Sequence, residues 1–208
     1  MIPIRKLFWC IHYLKVFFAD STYSYLVRLW LMVLGATIGK KFRANGSISL
    51  IVHPTARIKI GTNVRINSGH LRNMVGGFRR TGIHVGKNAR LEIGNNVGIS
   101  NSTIVCMSSI VLENDVYIGG DCAIYDTDFH PIDPLERKNN RVDMVNMRPI
   151  KFKSGVFLGA HSIVLKGVTI GENSVIGAGS VVSRNIPDNE IWAGNPIKKI
   201  GQREVGTI

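Results

Sequence analysis

Between Val156 and Pro187 the chain reads VFLGAHSIVLKGVTIGENSVIGAGSVVSRNIP, and an aliphatic residue returns at every sixth position: Leu158, Val164, Ile170, Ile176 and Val182. A helix cannot carry that period, because its apolar face recurs every 3.6 residues. Two positions ahead of each aliphatic residue stands a small or β-branched one (Val156, Ser162, Val168, Ser174, Ser180), and Gly159, Gly171 and Gly177 follow three of them. Hexamers made of one short strand and one turn, with glycine at the corners, build a parallel β-helix. The period extends backward through Ile99, Val105, Val111, Tyr117 and Ala123, with Val97, Thr103 and Ser109 two places ahead of the first three. Further upstream, ARIKIGTNVRIN (56–67) and ARLEIGNNVGIS (89–100) nearly repeat each other. Coils are therefore expected from about Ile48 to Ile186. One such hexamer alone reads as an ordinary amphipathic strand; ten or more in register do not.

Two stretches break the period and are expected to leave the solenoid as loops. NSGHLRNMVGGFRRTG (67–82) carries a Gly-Gly pair and three arginines, and DTDFHPIDPLERKNNRVDMVNMRP (126–149) carries three prolines and many charges. Insertions in a repeat array map to its surface and often build its site. The first loop reads as tolerated padding and the second as functional. The organisation expected is one compact body: an N-terminal segment 1–46, a solenoid 47–187 with its two loops, and a C-terminal tail 188–208.

The 208 residues carry 26 Lys and Arg against 14 Asp and Glu, a net charge of +12 that calls for an anionic partner. Nucleic acid, a phosphorylated cofactor and an acidic membrane surface all qualify. The sequence shows no aromatic-interleaved basic patch or reading helix, so nucleic acid is not expected. Cys10, Cys106 and Cys122 are scattered without disulfide or metal spacing and read as free thiols. His53, His70, His84 and His161 are single and widely spaced. They lack the close pair that the zinc-binding carbonic anhydrases of β-helical architecture use, so no metal is expected.

Near the N-terminus, residues 4–18 place Leu7, Cys10, Ile11, Leu14 and Phe18 on one helical face, and a second apolar stretch covers 25–39. Arg28 interrupts the second, and neither reaches the length of a membrane span. Lys15 and His12 break the apolar run that a signal peptide needs. Two compatible readings stay open: helices that cap the solenoid's end, or basic amphipathic helices lying at the headgroups of an anionic membrane.

NSTIV (101–105), TDFHPIDPLER (127–137), GVTIGENSVIGAGSVVSRNIPDN (167–189) and AGNPIKKI (193–200) together resemble the hexapeptide-repeat acyltransferases. The resemblance is strongest to the branch of galactoside and maltose O-acetyltransferases and of surface-polysaccharide acetyltransferases. It implies an all-β solenoid, a left-handed parallel β-helix with a protruding active-site loop, against the usual right-handed crossover. His130 falls where that family carries its catalytic histidine, and imidazole, with a pKa near 6.5, suits removal of an alcohol proton at neutral pH. The chain has no G-x-S-x-G elbow or Cys-His signature, so direct transfer in a ternary complex is expected. Asn101 matches the asparagine that helps hold the acceptor hydroxyl; its plainer reading is a corner residue tolerating left-handed backbone. For the CoA arm the resemblance implies Gly159, Ala160, Gly177 and Ala178, with Phe157 as an apolar wall. Ser183, Arg184 and Lys199, or its neighbour Lys198, would sit near the nucleotide phosphates.

The expectation is a cytoplasmic acetyl-CoA-dependent O-acetyltransferase, acting on a sugar hydroxyl in lipopolysaccharide, capsule or exopolysaccharide synthesis. The resemblance implies a homotrimer with sites between subunits. A peripheral contact with an anionic membrane at its inner face accompanies this reading, because the basic N-terminal segment suits lipid-linked acceptors. The alternatives are N-acetylation of a nucleotide-linked amino sugar, and a β-helical scaffold without chemistry.

Overall fold

A computed structural model describes residues 4–203. Helix α1 (Ile4–Val33) opens the chain, and three strands per turn then wind into a solenoid. The first coil is β1 (Thr37–Ile38), β2 (Arg43–Asn45) and β3 (Ser49–Val52), and the second β4 (Arg57–Ile60), β5 (Arg65–Asn67) and β6 (Gly82–Val85). The third is β7 (Arg90–Ile93), β8 (Gly98–Ser100) and β9 (Thr103–Cys106), and the fourth β10 (Ser109–Leu112), β11 (Tyr117–Ile118) and β12 (Ala123–Tyr125). The fifth is β13 (Ile150–Phe152), β14 (Phe157–Leu158) and β15 (Ile163–Val164), and the sixth β16 (Thr169–Ile170), β17 (Val175–Ile176) and β18 (Val181–Val182). The first, second and third strands of successive coils stack into three parallel sheets, the faces of a left-handed β-helix. Finally β19 (Glu190–Ala193) joins the second sheet, and β20 (Lys198–Gln202) pairs with it antiparallel. Much of the segment expected as a tail is thus a hairpin that closes the solenoid.

Inside the prism lies a continuous column of aliphatic side chains, including Ile66, Ile99, Ile118, Leu158 and Ile176 on the second face, all buried. The expected phase fails from β9 of the third coil through the fourth coil. Val105, Val111, Tyr117 and Ala123 point sideways or outward, Tyr117 being 56% exposed, while Ile104, Ile110, Ile118 and Ile124 fill the core. The cause is one extra residue at the corner between β8 and β9. Ile99 pairs with Ile118, 19 residues on, whereas Phe152 pairs with Ile170, 18 residues on. In a structure of period two, a slip of one residue exchanges the faces.

The N-terminal segment also differs from expectation. It is one helix instead of two, closed by a Schellman motif: Gly35, at φ +83°, donates to Met32 O and Ala36 donates to Leu31 O. The solenoid then starts at Thr37, ten residues earlier than expected. Ile38-Gly39 was the legible signal, since Ile60-Gly61 and Ile93-Gly94 repeat it and the three glycines stack, a Cβ on Gly39 falling 2.6 Å from Gly61 C. Val27 and Leu31 plug the open end of the core. Polar helix side chains satisfy the unpaired backbone of the first coil. Ser24 Oγ accepts from Ala44 N at 2.9 Å, Tyr23 Oη accepts from Ile48 N at 2.8 Å, and the Arg28 guanidinium donates to the carbonyls of Gly39 (2.7 Å) and Ile38 (3.0 Å). An end cap is what an exposed sheet edge requires. No helix among the described residues is long and apolar enough to cross a membrane. The side chains of Leu7, Cys10, Ile11, His12 and Lys15 lie outside the described residues, while Leu14 and Phe18 are exposed.

Candidate active site

The corners between the second and third sheets form a column of small residues: Asn101-Ser102, Gly119-Gly120, Gly159-Ala160 and Gly177-Ala178. Packing between coils explains the glycines. A Cβ on Gly159 would lie 2.5 Å from Ala178 N, one on Gly119 2.6 Å from Ala160 N, and one on Gly177 2.8 Å from Ala193 Cβ. The buried serines Ser102 and Ser180 serve the same corners. Ser180 Oγ donates to Gly177 O at 2.6 Å and accepts from Gly194 N at 3.0 Å, and Ser102 Oγ donates to Gly119 O at 2.8 Å and accepts from Cys122 N at 3.0 Å. The result is a smooth edge along which a thin ligand can approach the backbone.

Asn101 is the residue inserted at this edge, in left-handed conformation at φ +44° and 1% exposed. Its amide holds loop backbone: Nδ2 donates to Asn73 O (2.8 Å) and Val75 O (3.0 Å), and Oδ1 accepts from Gly69 N (2.8 Å). In this chain Asn101 pins the first loop through both of its amide hydrogens and one lone pair of Oδ1. That loop, residues 68–81, is more than padding. It lies on the edge so closely that a Cβ on Gly120 would meet Val75 O at 2.2 Å, and Arg79 pairs with Asp121 at 3.1 Å. Asp121 also faces His161 Nδ1 at 3.3 Å. The sequence separates these residues by tens of positions and gave no sign that they converge.

The second loop leaves the other edge, between the third sheet and the first. At its base Asp126 is buried and accepts from Met107 N at 2.7 Å and Ser108 N at 2.8 Å. Burial raises its pKa, against the opposing pull of those backbone donors. The two legs are joined by Arg148 N to Asp126 O (2.9 Å) and Asp128 N to Asn146 O (3.1 Å). Lys166, from the next coil, pairs with Asp128 at 2.6 Å. Phe129 then takes φ +62°, a conformation costly for an aromatic residue, with its ring edge-on to Tyr125 at 5.1 Å. His130 follows, its N–H donating to Asp128 O at 2.7 Å and its side chain exposed. Pro131 is buried, and Asp133 caps the short helix α2 (Pro134–Lys138), accepting from Leu135 N at 2.8 Å. The imidazole thus stands at a braced point on a loop that also exposes Phe129, Ile132, Leu135, Val142 and Met144.

The residues assigned to one cofactor divide between two edges and a face. Gly159, Ala160, Gly177 and Ala178 lie on the second–third edge. Ser183 and Arg184, both exposed, follow β18 on the same third–first edge as His130. Phe157 lies on the outer face of the second sheet beside Tyr117, walling a groove of about 400 Å³ that Asn63, Arg65 and Asn67 also line. Lys199 is engaged by Glu190 at 2.5 Å, and its neighbour Lys198 is exposed. Neither described cysteine is a nucleophile: burial pushes the Cys106 thiol up to about 12, with the Asp126 charge adding to it, and burial raises that of Cys122 as well. No group of three metal-ligating side chains occurs among the described residues.

Residues 149–184 match the bacterial transferase hexapeptide family of six repeats. The galactoside O-acetyltransferase of Escherichia coli K12 is 36% identical over 125 residues, which are 59% of this chain and 56% of that one. The chain spans about half the length of the curated relatives it matches. Among solved structures, an aspartate-to-alanine variant of AntD, an N-acyltransferase from Bacillus cereus in complex with dTDP and coenzyme A, superposes with TM-score 0.62. It is 26% identical and covers 81% of this chain and 84% of its own. A maltose O-acetyltransferase from Clostridium difficile 630 gives TM-score 0.50 at 26% identity, covering 81% of this chain and 70% of its own.

Proposed function

We propose that this chain, a hexapeptide-repeat β-helix protein, transfers the acetyl group of acetyl-CoA to a hydroxyl of a saccharide, with His130 as the base. The observation that carries this reading is the exposed imidazole on a loop braced by Asp126, Asp128 and Lys166. Preorganisation of that kind has a use when a proton must be taken at a fixed point. In the reaction proposed, His130 removes the hydroxyl proton as the oxygen attacks the thioester carbonyl, and backbone N–H groups receive the oxyanion. The C–S bond then breaks, and the thiolate leaves with the proton that the imidazolium returns.

The division of the donor residues between two edges supports a homotrimer. His130, Ser183 and Arg184 of one subunit would face Gly159, Ala160, Gly177 and Ala178 of its neighbour across a shared groove. Polysaccharide assembly is the process proposed, and the cytoplasm, where acetyl-CoA is made, the place. A second reading, N-acetylation of a nucleotide-linked amino sugar, draws support from the likeness to AntD, whose ligands are dTDP and coenzyme A.

Titration calorimetry with acetyl-CoA on the wild type and His130→Ala is the test. Saturable binding by both, with acetyl transfer by the wild type alone, is expected. No binding by folded wild type overturns the proposal in favour of a scaffold. Acceptor assays on a sugar and its amino counterpart then separate the two chemistries.

A further inference from the structure

Charge is not spread evenly along the solenoid. Fifteen of the 26 Lys and Arg precede Glu92, but of the 14 Asp and Glu only Asp20 does. That single carboxylate is already held by Arg72 at 2.8 Å. The excess is concentrated at the end of the prism that α1 covers. Lys40, Lys41 and Arg43 of the first coil and Arg57 and Arg65 of the second are all exposed, and no ion pair among the described residues involves them. Arg43 lies directly beside Arg65 across the ladder, and Arg57 beside Arg90. Like charges in such pairs weaken a sheet, so stability does not account for them.

The face that α1 turns away from the core is apolar. Val27 and Leu31 face inward, while Tyr25, Leu26, Leu29, Met32 and Val33 are between 48% and 76% exposed. A cap repeat is expected to present a polar outer face. This one presents an apolar face rimmed by cations.

We infer that the α1 end of the solenoid is a docking surface for an anionic lipid bilayer: the outer face of α1 enters the headgroup layer, and Lys40, Lys41, Arg43, Arg57 and Arg65 meet lipid phosphates. Charge complementarity selects this occupant, because a second copy of the same end would bring one cation-rich surface against another. Interfacial helices bind by this combination of apolar area and cationic flanks, without crossing the membrane.

Co-sedimentation of the full chain with vesicles of phosphatidylcholine alone, or of phosphatidylcholine with about one-third phosphatidylglycerol, tests the inference. The wild type is expected to sediment with the anionic vesicles only, and raised salt to release it. At about fivefold per cation, Lys40→Gln/Lys41→Gln/Arg43→Gln is expected to bind about a hundredfold more weakly. Leu29→Ser/Val33→Ser, which leaves every charge in place, is expected to weaken binding too. Wild type that stays in the supernatant, or a triple variant that sediments undiminished, overturns the inference. So does a fall in assembly mass by light scattering in Leu29→Ser/Val33→Ser, which would place a second copy on that face, or preferential retention of duplex DNA over vesicles. Acetyl-CoA titration of both variants keeps the result separate from the acetyltransfer proposal, which does not depend on it.

Discussion

His130 stands on a loop and Asn101 at a corner, and the chain uses them differently. His130→Ala is expected to lower acetyl transfer by about 10² to 10⁴-fold in steady-state assays, with acetyl-CoA affinity kept. Asn101 holds three backbone partners of the first loop, so Asn101→Ala is expected to cost about 1–3 kcal/mol in denaturant unfolding and to open residues 68–81 to proteolysis. Intact stability with lost acceptor affinity would return Asn101 to a substrate-holding role. The motif around His130 was readable because it is contiguous. The work of Asn101 was not, because its partners lie 26 to 32 positions away and are brought near only when the loop folds back. Gly159 illustrates a third case, a position readable as special but not for which reason. The next coil leaves no room for a Cβ there, and Gly159→Ala is expected to lose about 1–3 kcal/mol of stability whether or not CoA is bound.

Among the elements, the loop that carries His130 depends on a neighbour that the sequence gives no reason to link to it. Lys166 reaches Asp128 from the following coil, and both side chains are about one-fifth exposed. Lys166→Met is expected to lower kcat about 10 to 100-fold through misplacement of His130 while the acetyl-CoA Kd holds, and Lys166→Arg to restore most of the rate. Equal loss of kcat and thermal stability would reduce Lys166 to a structural tie. Helix α1 was legible as helical and apolar, but its extent was not, because the two apolar stretches read as separate helices while in the structure Ile4–Val33 is one helix. Arg28, which reads as an interruption in an apolar run, finds its use in capping carbonyls of the first coil, a partner no helical wheel contains.

At the scale of the molecule, a repeat that contacts only its neighbours makes stability a sum of adjacent interfaces. Carboxylate pairs tie the later part of the solenoid: Glu113 to Lys151 and Asp188 to Lys153 from coil to coil, and Glu190 to Lys199 within the closing hairpin. Hydrogen bonds from those lysines hold each carboxyl below its ordinary pKa. A carboxylate so lowered adds stability above its unfolded-state value and loses it as pH falls through the folded-state value. The melting temperature is therefore expected to drop below the usual carboxylate range, and Lys151→Met/Lys153→Met to flatten that drop. The period that announced the solenoid gave its architecture but not its phase from β9 through the fourth coil, since one inserted residue leaves the spacing of downstream hexamers untouched. The stacking also makes the molecule a ruler. His130's loop leaves the fourth strand of the third sheet, three spacings of about 4.8 Å beyond the first coil, so its height above the α1 end is set by a count of coils. Splicing in one more 18-residue turn between them would lift that loop by a single strand spacing and change nothing in its own make-up, so reach and chemistry can be adjusted separately.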